Sequence, residues 1–74
     1  MRISSLDPNV VRWVLGRARA FDKGTGRPVF RYPEIARNLF RARRVRLSGK
    51  AVKRLVVRED PELERRRAGA WNRG

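Results

Sequence analysis

The chain contains no cysteine and no histidine. The first absence removes a disulfide framework, and the two together remove a zinc site of the usual Cys/His kind. They also remove the commonest partners for nucleophilic catalysis. The serine-bearing spots, Ser4-Ser5 and Ser48, have no base at motif spacing. The carboxylates between Glu59 and Glu64 gather around Asp60-Pro61 and read as helix-start charges rather than metal ligands. Gly24 to Arg27 (GTGR) is not a phosphate-cradling Walker loop, because no Gly-Lys-Ser/Thr follows. No catalytic residue, metal site or cofactor is therefore expected, and the chain reads as a non-enzyme. Long apolar runs are missing too. None approaches the roughly 18 residues of a membrane span, and Met1 to Val11 has no signal-peptide core. The expected location is cytoplasmic, without membrane association.

Acidic residues are the scarcest class relative to their counterparts: seven Asp and Glu stand against twenty Lys and Arg, for a net charge of +13. Self-repulsion at this level works against a compact fold unless a polyanion neutralises it. Arg outnumbers Lys by 17 to 3. A coding bias accounts for Arg in place of Lys but not for the excess of bases over acids. Seventy-four residues are enough for one domain with a small core, which must come from packing alone.

Local signals divide residues 1–74 into mainly helical elements. Asp7-Pro8 is a cap followed by proline at the first helical position. Val10, Val11, Val14, Ala18 and Phe21 then recur at helical spacing, predicting a helix over 8–21. Residues 22–32 read as a turn followed by an extended segment or single edge strand (Pro28 to Tyr32). Tyr32-Pro33 opens a second helix over 33–40, with Tyr32 held extended by the proline after it. Residues 41–47 form a basic turn, in which Val45 and Leu47 hint at a short strand. Ser48 caps a third helix over 49–58, and Asp60-Pro61 repeats the first start signal for a C-terminal helix or tail over 61–74. Leu63 and Trp71 are candidates to dock on the core. The expected fold is a small three- to four-helix domain with at most one short strand.

The stretch Ile35 to Arg58 holds nine basic residues and no acidic one. Within it, Ile35-Ala36-Arg37-Asn38-Leu39 and Ser48 followed by Val52-Lys53-Arg54-Leu55 resemble the two helices of a helix-turn-helix DNA-binding domain. The small Ala36 corresponds to the residue at which the helices cross, and Ser48 to the cap of the recognition helix. Residues 28–58 are covered by the likeness. They depart from the simplest pattern in the sixteen-residue step from Ala36 to Val52, which is similar to expanded, winged-helix-like relatives; a wing after the third helix is not visible. The resemblance implies duplex DNA as partner, in transcription regulation or DNA organisation, and hence a nucleoid-associated location. It implies Lys50, Lys53 and Arg54 toward base edges, and Arg41, Arg43, Arg44 and Arg46 on phosphates, with Ser48 donating to a phosphate from its cap. Domains of this kind and size often act as dimers, so a homodimer is also expected, with the first helix or Trp71 supplying the contact.

Two other classes fit the composition. A small basic RNA-binding protein of the ribosomal type would lead with Arg65-Arg66-Arg67 and Arg73. A protein-interaction module or inhibitor would use the same charge on an acidic partner.

Overall fold

The computed structural model describes residues 7–72, with side chains through Ala70. The lead-in from Met1 to Leu6, the side chain of Trp71 and the end of the tail lie outside the described residues. Four helices follow one another: α1 (Pro8–Ala18), α2 (Tyr32–Arg43), α3 (Gly49–Glu59) and α4 (Pro61–Asn72). The fold is a small, mainly α domain. Among the described residues there is no strand, only an isolated antiparallel bridge between Phe21 and Pro28.

α1, α3 and α4 each start where a short polar side chain satisfies a free N–H group. Asp7 accepts from Asn9 N at 2.8 Å, Ser48 Oγ from Ala51 N at 3.1 Å, and Asp60 Oδ1 from Leu63 N at 3.2 Å. Asp60 also ends α3, its N–H donating to Val56 O at 2.8 Å. One residue thus separates the last two helices. Its other carboxylate oxygen meets Arg19 beyond the end of α1, at 3.2 Å.

Several expected boundaries are corrected. α1 stops at Ala18 rather than Phe21. Phe21 leaves the helix to pair with Pro28 across a loop closed by Asp22 N to Arg27 O and Gly26 N to Asp22 O, both 2.8 Å. The segment from Pro28 to Tyr32 therefore forms no strand beyond that bridge. α2 starts one residue early because Arg31 takes the extended cap conformation (φ −82°, ψ 159°), with its N–H donating to Glu34. Tyr32 enters the helix despite the proline after it, held by its hydroxyl donating to Glu64 at 2.6 Å. At the other end α2 continues to Arg43, since Arg41-Ala42-Arg43 contains no breaker. The basic turn is correspondingly shorter, residues 44–48, and Val45 and Leu47 pair with no strand. α3 extends one residue further than expected, to Glu59, and α4 is a helix rather than a loose tail.

The core is aliphatic. Val10, Val14, Leu15 and Ala18 from α1 pack with Ile35, Ala36 and Leu39 from α2, Val52, Leu55 and Val56 from α3, and Leu63 from α4. α3 is central and packs on the other three helices. The aromatic side chains ring this core, half-buried, and every described one carries an arginine over its face. Arg17 lies over Trp13 and Phe30, Arg66 over Phe21, Arg67 over Tyr32, and Arg44 and Arg46 over Phe40, all with guanidinium-to-centroid distances of 4.3–5.6 Å. Such contacts hold both the ring and the cation in place.

Arg67 goes further: it is 2% exposed. Its Nη1 donates to Ala18 O, the last carbonyl of α1, at 2.7 Å, and its Nη2 donates to Phe30 O. A helix end with unsatisfied carbonyls is where a buried cation is best placed. Burial and the hydrogen bond to Glu64 push the pKa of the neighbouring Tyr32 up to about 12. The phenol is therefore a donor at every physiological pH. Its contribution to stability is full below pH 10 and is lost as pH rises toward 12.

Candidate nucleic-acid interface

The segment from Arg44 to Ser48 folds back beside α2, and α3 begins next to the start of α2. A side chain at Gly49 would place its Cβ 3.2 Å from Pro33, so anything larger than glycine requires Pro33 to give by a few tenths of an ångström. Between the returning segment and α2 lies a groove of about 350 Å³. Ala36, Phe40 and Leu47 give it apolar surface, and Arg37, Arg41 and Arg46 line it as well. The turn reverses at Arg44, which has φ 56° and ψ 27° and is the one non-glycine residue with positive φ among those described. That conformation costs a residue with a Cβ roughly 1–2 kcal/mol. The Arg44 guanidinium settles 5.6 Å from the Phe40 centroid, with Arg46 also stacked on that ring, at 5.0 Å.

Arg44→Val and Arg44→Gly both delete the charge and the stacking. The valine variant is expected to be less stable than the glycine variant by about 1–2 kcal/mol, because only glycine adopts this backbone freely. Urea unfolding of the pair checks this, and equal stabilities would mean that the turn relaxes.

The outward face of α3 has Lys50, Arg54 and Val57 along its middle, at helical spacing. Lys53 sits to one flank, lining a concavity of about 420 Å³ with Tyr32, Pro33 and Glu64. Ser48 is exposed and caps the helix, and Arg41 and Arg43 are exposed on the last turns of α2. The eight residues singled out by sequence are exposed and run from the end of α2 through the turn to α3. Sequence reasoning passed over Arg37, although it lies one turn before Arg41 and lines the same groove. It also passed over Arg67, whose spacing from Leu63 and Ala70 matches the buried side of α4.

Charge is divided sharply across the domain. All seven carboxylates are engaged. Asp7, Asp22 and Glu34 accept from backbone N–H groups, and Glu64 accepts from Tyr32. Asp60, Glu59 and Glu62 pair with Arg19, Arg58 and Arg65 at 3.2, 3.5 and 2.8 Å. By contrast Arg37, Arg41, Arg43, Lys50, Lys53 and Arg54 have no hydrogen bond, ion pair or ring contact with any described residue. These six cations, on α2 and α3, are left without a direct ion-pair or hydrogen-bond partner among the described residues. Among the described residues no group of carboxylates is arranged to hold a metal ion, and no helix is long and apolar enough to cross a membrane.

No family model matches the chain, and searches of curated proteins and of solved structures likewise find no match.

Proposed function

We propose that this protein binds duplex DNA through α2, the returning turn and α3, in the manner of a helix-turn-helix domain, and acts in transcription regulation or DNA organisation. The observation that carries the reading is that six cations on α2 and α3 have no direct partner among the described residues, while all seven carboxylates accept from other groups. A polyanion is the partner that relieves such an arrangement. The packing supports the helix-turn-helix form. Ala36, Val52 and Leu55 are buried together, and the residues beyond the usual spacing are taken up by an extra turn of α2 and a segment that folds back along it. Lys50 and Arg54, on the exposed face of α3, suit base edges. Arg41, Arg43, Arg44 and Arg46, at the end of α2 and in the turn, suit phosphates, with Arg37 added to them. Of the tail arginines that lead the ribosomal-type RNA reading, Arg67 is buried on backbone carbonyls, while Arg65 and Arg66 stay exposed.

Salt titration of binding tests this. Neutralising about six phosphates gives a slope of log K against log salt of roughly −5. Arg43→Ala is expected to reduce that slope by about one and to weaken all sequences alike. Arg54→Ala is expected to cost about 1–3 kcal/mol on a preferred sequence and little on random DNA. A flat salt response removes nucleic acid as the partner. Preferential capture by structured RNA, with Arg65 and Arg66 carrying the affinity, replaces DNA by RNA.

A further inference from the structure

Two large apolar side chains are exposed among the described residues, Val29 and Val57, and their settings differ. Val29 lies in the connector between α1 and α2, beside the bridge. Val57 is 43% exposed and projects from α3 among unpartnered cations, three residues beyond Arg54 and seven beyond Lys50. It is not part of the buried core. A β-branched residue is also a poor choice for an exposed helical position, where Lys, Arg or Glu would serve the helix better.

Resting on the DNA reading above, we infer that Val57 is a specificity-determining residue that meets the 5-methyl group of a thymine. The major-groove edge of DNA carries one prominent apolar feature, that methyl, and it marks a T·A pair apart from the other three. Val57 stands about 4.5 Å further along the helix axis than Arg54, at ~1.5 Å per residue. Base pairs repeat about every 3.4 Å. A guanine under Arg54 therefore places the thymine one or two base pairs away. The assignment also gives the surface a preference that charge alone lacks, because the uracil of RNA has no such methyl. Arg54 reads a guanine and the other cations set affinity and register, while the valine adds a term that only thymine supplies.

The experiment starts from the duplex that the wild-type protein selects from a random pool. Each thymine in it is then replaced singly by deoxyuridine, which removes the methyl and nothing else. One replacement, within two base pairs of the guanine lost to Arg54→Ala, is expected to weaken wild-type binding about fourfold, the effect of one buried carbon. Val57→Ala is expected to bind the parent duplex more weakly by a similar factor and to be indifferent to that replacement. If no single thymine matters to the wild-type protein, or Val57→Ala keeps the same sensitivity, the thymine assignment is overturned while DNA binding through Lys50 and Arg54 stands. If no duplex is selected and binding ignores salt, the DNA reading falls and takes this inference with it. The deoxyuridine series on the wild-type protein decides the matter even if the variant folds poorly.

Discussion

Arg67→Ala is expected to lower stability by about 3–5 kcal/mol, enough to leave much of the protein unfolded at 37 °C. The guanidinium holds two backbone carbonyls, Ala18 O and Phe30 O, from a position 2% exposed. Hydrogen bonds from a charged group are worth roughly 1.5–3 kcal/mol each, and both carbonyls lose their donor when the side chain is cut back. A domain of this size has about 4–11 kcal/mol in total. The melting temperature, followed by circular dichroism, is expected to fall by at least about 15 °C. Arg67→Lys retains charge but not the fork that reaches both oxygens, so it falls in between. Arg65→Ala is the matched control. Its ion pair with Glu62 joins side chains 76% and 77% exposed, and such pairs contribute less than about 1 kcal/mol. Equal melting of the Arg67 and Arg65 variants would mean that the buried latch contributes nothing.

Leu55→Asp should be the most damaging of the core substitutions. Leu55 is 1% exposed, on the helix that packs against the other three. The change removes a buried leucine and puts a carboxylate where no cation or donor waits, at a cost of about 4 kcal/mol or more. Ala36→Glu makes an instructive comparison. Ala36 is also a core residue, but it borders the groove that Arg37, Arg41 and Arg46 line. A glutamate there can turn outward, so the expected loss is about 1–3 kcal/mol, close to ordinary overpacking. Its carboxylate then occupies the cationic groove. The Ala36 variant is therefore expected to stay folded and bind nucleic acid weakly, whereas the Leu55 variant loses both. Urea unfolding and circular dichroism separate the two. A native-like melt for Leu55→Asp would show that α3 is packed otherwise.

What the sequence revealed and what it hid follow from the range of the interactions involved. Caps are local, so Asp7, Ser48 and Asp60 marked three helix starts correctly. The aliphatic periodicity of Val52, Leu55 and Val56 was equally plain, because a helix must bury one face. The end of α1 was not legible. It depends on a partner 49 residues away, the guanidinium of Arg67 on Ala18 O. The end of α2 was obscured because the residue that reverses the chain, Arg44, is not a glycine. The acid-free run located the candidate surface, since charge composition survives folding. How the remaining arginines divide between ring-stacked, ion-paired and unpartnered depends on tertiary contacts. Three consecutive arginines, 65 to 67, became an exposed ion pair, a cover for Phe21 and a buried latch.

The single residue between α3 and α4 has a mechanical consequence. Asp60 closes one helix with its N–H and opens the next with Oδ1, while Oδ2 reaches Arg19. No loop is left there to absorb rotation. The two helices form a bent lever with its fulcrum at one side chain, tethered at that point to the end of α1. The α3–α4 packing and the shared Asp60 tie the C-terminal helix directly to the helix that carries Lys50 and Arg54.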